Sequence, residues 1–134
     1  MDATIELADG RSVGFATYGR PEGTAVLWCH GGPGSRMEPA HLGAEAAEAG
    51  LLLIGIDRPG YGMSTPRPGL TFDVTTITCP VTVLHGEMDK ICNVVNARHT
   101  AEIVPTARLA LYNDLGHFSI ATKLIPTISD LLTR

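Results

Sequence analysis

The feature that most constrains this chain is an apolar run that leads directly into a glycine-rich turn. The run is Ala25-Val26-Leu27-Trp28-Cys29, and its lack of alternation predicts a short strand buried on both faces, as in a parallel sheet. The turn that follows is His30-Gly31-Gly32-Pro33-Gly34-Ser35, a composition that lets the backbone reverse without strain. A helix-like segment, 38–49, comes next. The order strand, turn, helix indicates a cleft at the carboxyl end of a strand, where α/β proteins bind ligands.

The backbone of this turn is a candidate oxyanion hole. We expect the N–H groups of Gly31, Gly32 and Gly34 to point into the cleft, where they can hold negative charge that develops on a carbonyl oxygen. We interpret His30 as structural, because in such a loop it holds the turn by hydrogen bonds.

The remaining patterns predict an α/β fold with a mainly parallel sheet and helices on both faces. Alternation around Asp9-Gly10 predicts an antiparallel amino-terminal hairpin. Further strands are predicted at 51–57, 81–86 and 107–112, and helices at 93–104 and 119–132, the latter kinked or split at Pro126. We expect the strand order 1-2-4-3, followed in the same sheet by the strands at Val81 and Ala107.

The segment 58–80 interrupts this regular order. Its 23 residues carry no helical periodicity and contain four prolines, Pro59, Pro66, Pro68 and Pro80. We interpret it as a loop or linker, longer than compact domains usually carry. The chain as a whole, 1–134, is predicted to form a single shortened domain.

Four motifs in order resemble those of α/β-hydrolases of the proline-iminopeptidase and epoxide-hydrolase-like branch. The turn 30–35 resembles the oxyanion-hole loop of that family, and Asp57-Arg58-Pro59-Gly60-Tyr61-Gly62-Met63-Ser64 resembles its turn after the next strand. Leu84-His85-Gly86-Glu87-Met88-Asp89 resembles the stretch with the catalytic acid, and Gly116-His117 resembles the catalytic histidine. The resemblance implies a truncated α/β-hydrolase fold with Asp89 and His117 as an acid–base pair. Since both residues follow parallel strands, they should meet at one sheet edge.

The nucleophile of that family has no counterpart in this chain. In the family, a strand, an elbow serine, a helix, a further strand and a lid lie where this chain has only the segment 58–80. Ser12 lies in a Gly-x-Ser-x-Gly pattern, but in a hairpin instead of between a strand and a helix. Ser35 and Ser64 lie on no elbow either. We therefore predict that serine-directed covalent inhibitors do not label the protein.

Three functions stay open on this basis. His117, oriented by Asp89, could catalyse cofactor-free hydrolysis of an ester or amide, an isomerisation or a cyclisation. Alternatively, the chain is a catalytically inactive binding or assembly module derived from a hydrolase. In the third reading, a partner chain supplies the missing elements in trans. We expect a small ester, amide or carbonyl substrate in the first case, and neither a cofactor nor a metal ion.

Composition narrows the partners and the location. A net charge of −4 gives no basic footprint for nucleic acid or an anionic membrane, and no apolar run reaches the roughly 20 residues of a membrane span. An odd number of cysteines without metal-ligand spacing predicts buried reduced thiols and a cytoplasmic protein. Because the two apolar strands need cover on both faces, we predict a homodimer. The cysteines are Cys29, Cys79 and Cys92.

Overall fold

The computed structural model describes residues 1–71 and 73–133, and these form six strands and three α-helices. The chain divides into two compact units, Met1–Leu70 and Thr71–Arg134, each with its own sheet. The predicted α/β class and the antiparallel amino-terminal hairpin are confirmed. That 1–134 form a single domain stays a prediction.

The first unit contains a four-stranded sheet in the order β1-β2-β4-β3, as predicted. Strand β2 pairs antiparallel with β1 and with β4, whereas β3 and β4 run parallel. Gly10, at a φ of 78°, closes the hairpin in the left-handed region that favours glycine. The strands are β1 (Asp2–Glu6), β2 (Ser12–Gly19), β3 (Thr24–Cys29) and β4 (Leu51–Ile56).

The predicted helix after the glycine turn is present in two parts. A 3₁₀ helix, Glu38–Leu42, leads into α1 (Gly43–Glu48), which packs against β2 and β4. Pro39 lies in the first turn, where its missing N–H leaves no hydrogen bond unmade. The core of this unit is formed by apolar residues of this helix and the sheet, namely Ala16, Leu42, Ala46, Leu51 and Leu53.

The second unit is a parallel strand pair with its crossover helix. Strands β5 (Val81–Gly86) and β6 (Ala107–Tyr112) pair in parallel, and α2 (Val94–Ile103) packs against both. A 3₁₀ helix, Ser119–Lys123, precedes α3 (Leu124–Leu132). The predicted break thus lies before Leu124, because Pro126 is accommodated in the first turn of α3.

Two predictions about the sheet are wrong. Among the described residues, β5 pairs with β6 alone, so the strands at Val81 and Ala107 do not continue the first sheet. The described part of 58–80 contains one short 3₁₀ helix, Val74–Thr76, and no strand that could extend the sheet beyond β3. Strand β3 is therefore the edge strand of the first sheet. The prediction that it is buried on both faces is wrong, because its residues are exposed or half-buried and Leu27 is 62% exposed.

No helix in the described ranges is long and apolar enough to cross a membrane.

Candidate functional site

The glycine turn is braced from one side by a carboxylate. The backbone N–H of Gly31 donates to both oxygens of Glu38, at 3.3 and 3.4 Å, and the indole N–H of Trp28 donates to Oε2 of Glu38 at 2.7 Å. Within 1–71 and 73–133, the N–H groups of Gly32 and Gly34 have no hydrogen-bond acceptor. The N–H of Gly31 therefore already binds a carboxylate, whereas the N–H groups of Gly32 and Gly34 remain able to donate to an oxyanion.

His30 joins this turn to the turn after β4. It is buried, and its Nε2 accepts a hydrogen bond from the backbone N–H of Arg58 at 3.1 Å. Because Nε2 accepts, Nδ1 carries the proton and donates to the carbonyl of Gly31. Both ring nitrogens are thus used in holding backbone, which is the structural role that we inferred from the sequence.

Asp57 is the buried centre of the same turn. Its carboxylate accepts hydrogen bonds from the backbone N–H of Arg36 (2.8 Å), the Arg36 guanidinium (2.9 Å) and the backbone N–H of Met63 (2.9 Å). Burial opposes ionisation, but these donors outweigh it and hold the pKa of Asp57 below its usual range. Asp57 therefore stays ionised and ties the glycine turn to the turn 57–64.

The three serines considered as nucleophiles lie in a strand and in two turns. Ser12 is the first residue of β2, and Ser35 Oγ accepts a hydrogen bond from the backbone N–H of Met37 at 3.2 Å. Ser64 is buried, and its hydroxyl donates to the carbonyl of Asp57 at 2.7 Å and accepts from the N–H of Gly14 at 3.0 Å. Ser12 lies inside a strand, Ser35 lies six residues after the end of β3, and Ser64 lies eight residues after the end of β4. None of the three directly follows a strand as an elbow serine does.

In the second unit, the predicted acid and base form a hydrogen-bonded pair. Nδ1–H of His117 donates to Oδ2 of Asp89 at 2.9 Å, while Oδ1 accepts from the N–H groups of Ile91 (2.7 Å) and Cys92 (2.8 Å). The Asp89 side chain is 5% exposed and the imidazole 36%. Burial opposes ionisation, yet the backbone N–H of Cys92 and the imidazole outweigh it, and the pKa of Asp89 falls to about 2.

Gly86 allows the two loops that carry this pair to approach each other. A Cβ at this position would collide with the carbonyl oxygen of Leu115 and lie 3.1 Å from the N–H nitrogen of Gly116. The backbone N–H of Met88 bonds to the same Leu115 carbonyl at 2.9 Å. A residue without a side chain at the end of β5 therefore sets the distance between Asp89 and His117.

The prediction that the cysteines are buried is wrong, because Cys29, Cys79 and Cys92 are all exposed free thiols. Cys29 ends an edge strand, and the other two lie in loops before β5 and α2. Cys92 also belongs to the site, since ligand atoms of Asp89, Cys92 and His117 lie within 4.8 Å of one another. Its spacing from Asp89 was visible in the sequence, but the proximity to His117 depends on the fold.

Comparison with solved structures defines the class of fold. An esterase from Exiguobacterium antarcticum is similar with a TM-score of 0.76 at 13% identity, and a bromoperoxidase from Bacillus anthracis with 0.75 at 12%. Both comparisons cover 100% of this chain and 100% of the other. These neighbours have α/β-hydrolase folds, so this chain has a shortened fold of that class. At this level of identity the likeness shows the fold and not the reaction.

The curated relatives that match part of the chain in sequence include a probable proline iminopeptidase from Streptomyces coelicolor (strain ATCC BAA-471 / A3(2) / M145), 36% identical over 63 residues. The match covers 47% of this chain and 19% of that relative, so the chain corresponds to a small part of the relative's length. No family model matches the chain.

Proposed function

We propose that His117, oriented by Asp89, performs cofactor-free acid–base chemistry on a small ester, amide or other carbonyl substrate. The observation that supports this most directly is the 2.9 Å hydrogen bond between a largely buried carboxylate and a partly exposed imidazole. With Nδ1–H held by Asp89, Nε2 is the nitrogen that can take a proton from water or substrate. The same pair could serve hydrolysis, isomerisation or cyclisation.

In this proposal the catalytic set lacks the serine of a covalent hydrolase, and water is the nucleophile in a hydrolytic reaction. The hydroxyl of Ser64, the buried candidate, is engaged at both its donor and its acceptor side. The partial match to a probable proline iminopeptidase supports descent from that branch and favours an amide or ester as substrate.

The glycine turn is proposed as a source of oxyanion donors. Gly32 and Gly34 offer N–H groups, whereas that of Gly31 is shared with Glu38, which a developing oxyanion would have to replace. The Glu38 carboxylate supports this role, because its oxygens accept a hydrogen bond from the backbone N–H of Gly31, as an oxyanion would.

The alternative is an inactive binding or assembly module. It is favoured by the way in which His30, Asp57 and Ser64 are used, since their polar atoms hold backbone turns.

Self-association as a homodimer fits either function, and the edge strand β3 with its exposed Leu27 supports it. A partner chain could then supply missing elements in trans. Three free cysteines favour a reducing compartment such as the cytoplasm.

The test is hydrolysis of p-nitrophenyl acetate by the full chain and two histidine variants. His117→Ala should lower the rate by about 10²-fold or more, the usual contribution of a positioned acid–base group. His99→Ala is the matched control, because His99 is an exposed imidazole on α2 of the same unit. A fluorophosphonate should label no serine.

Equal rates for the two histidine variants would contradict acid–base chemistry at His117 and favour the inactive module. Stoichiometric labelling of Ser12, Ser35 or Ser64, seen by mass spectrometry, would contradict the absence of a serine nucleophile.

A further inference from the structure

Three side chains of different chemistry converge beside the loop that follows β5. They are a carboxylate, a thiol and an imidazole, and one ligand atom of each lies within 4.8 Å of the other two. We propose that Asp89, Cys92 and His117 form a binding site for one divalent metal ion of the zinc type. The sequence predicted no metal site, because the cysteines lack ligand spacing among themselves; here the fold, and not the spacing, brings the ligands together.

The loop geometry fixes two of the ligands with respect to each other. Oδ1 of Asp89 accepts the backbone N–H of Cys92 at 2.8 Å, so the thiol starts from a backbone position tied to the carboxylate. Oδ2 of Asp89 lies 2.9 Å from Nδ1 of His117. In a tetrahedral zinc site, metal–ligand bonds of about 2.0–2.3 Å place ligand atoms roughly 3.3–3.7 Å apart. On binding, Nδ1 of His117 and the Cys92 thiol each release a proton to solvent, and the ion replaces the Asp89–His117 hydrogen bond. The oxygen–nitrogen pair must open by a few tenths of an ångström, and the exposed thiol must turn inward.

The donor set selects the class of metal. Thiolate and imidazole favour zinc and its neighbours over Mg²⁺ or Ca²⁺, which prefer oxygen ligands throughout. Three protein ligands leave the fourth tetrahedral position open, as in zinc sites that keep a water molecule. The exposure of Cys92 and of about a third of the imidazole gives the ion a route from solvent. The proposal does not rest on ester hydrolysis by His117, because metal binding and that activity are measured separately.

The experiment uses Co²⁺ as a spectroscopic probe for the full chain. Binding through a thiolate gives a near-ultraviolet charge-transfer band, and added Zn²⁺ should abolish it at one equivalent per chain. The variant Cys29→Ser/Cys79→Ser serves as the background, because it leaves Cys92 as the single thiol. We expect this variant to keep the band, and Cys92→Ser in the otherwise unchanged chain to lose it.

The other two ligands are tested in the same background. Asp89→Asn and His117→Ala should each weaken Co²⁺ binding by at least about tenfold, since even outer-shell partners of metal sites contribute that much. His117→Gln, which keeps a hydrogen-bond donor for Asp89, replaces His117→Ala if that variant loses its circular dichroism spectrum. His99→Ala is the matched control and should bind as the parent does.

Three results would overturn the proposal. They are the absence of a band in the wild-type chain with excess Co²⁺, a band that survives Cys92→Ser, and a band that Cys92→Ser removes but neither His117 variant weakens. The last result would mean that an exposed thiol binds metal without the other two ligands.

Discussion

Replacement of Asp57 by asparagine should destabilise the unit Met1–Leu70 by about 3–5 kcal/mol. Asp57 is 1% exposed, and its carboxylate accepts two backbone N–H groups and the Arg36 guanidinium at 2.8–2.9 Å. Asparagine has the same size but no charge, and its NH₂ group would face a donor. Removing one partner of a buried, hydrogen-bonded ion pair costs about that much. Arg36 keeps its contact with Asp2, but the backbone N–H groups of Arg36 and Met63 lose their charged acceptor.

A matched control is available on the same arginine. Asp2 also binds the Arg36 guanidinium, at 2.6 and 3.1 Å, but its side chain is 50% exposed. Asp2→Asn should cause a much smaller loss than Asp57→Asn, because exposed ion pairs gain little over hydrated charges. Comparing the losses of stability of the two variants separates the effect of burial from the effect of the ion pair as such.

The pH dependence follows from the sign of the pKa shift. Folding lowers the pKa of Asp57, since the donors of Arg36 and Met63 outweigh the opposing effect of burial. Its contribution to stability is therefore complete above the unfolded pKa of about 3.9 and is lost as the pH falls through the folded value. Asp57→Asn should remove this part of the acid destabilisation, so that its stability changes less with pH than that of the wild type.

The assay is urea unfolding followed by fluorescence, because the one tryptophan, Trp28, lies in the first unit and reports on it. A loss below about 1 kcal/mol for Asp57→Asn, the range of exposed pairs, would refute the reasoning. So would equal losses for the Asp57 and Asp2 variants, or an unchanged pH dependence.

Two further outcomes concern the second unit and the edge strand. Gly86→Ala should separate Asp89 from His117, because the new Cβ meets the Leu115 carbonyl; altered imidazole NMR signals of His117 would show this, and unchanged signals would contradict it. Light scattering over a concentration series should give the mass of a dimer, because β3 is an apolar edge with Leu27 exposed; a monomer mass at all concentrations would exclude self-association.

Local sequence patterns predicted the elements of the fold well because each depends on neighbours in the chain. Asn93 caps α2 through a hydrogen bond from the N–H of Val95, and β6 covers the predicted residues, 107–112. The position of β3 could not be predicted in this way. Its apolar residues show what the strand is able to bury, whereas its burial depends on the elements that cover the two faces of the sheet, and Leu27 is 62% exposed.

Likewise, some residues of the candidate site could be predicted from local motifs, and others only from contacts made in the folded chain. Asp89 and His117 were found through motifs, and parallel strands β5 and β6 bring the loops that follow them to one edge. Glu38 and Cys92 were not found, because their importance depends on contacts. Glu38 matters only because the turn folds back onto it, and Cys92 only because His117, 25 residues further along the chain, lies beside it.

The two kinds of motif carry different weight for function. The residues of the first two motifs have a sufficient structural explanation, since His30, Asp57 and Ser64 join two turns through buried hydrogen bonds. Their presence would be expected in an active or an inactive protein. The Asp89–His117 pair differs, because Asp89 closes its own loop through Oδ1, whereas the partly exposed imidazole binds its other oxygen, Oδ2. The proposed acid–base function requires His117, and the inactive module does not. Variants at His117 therefore discriminate between the two functions, whereas variants at His30, Asp57 and Ser64 do not.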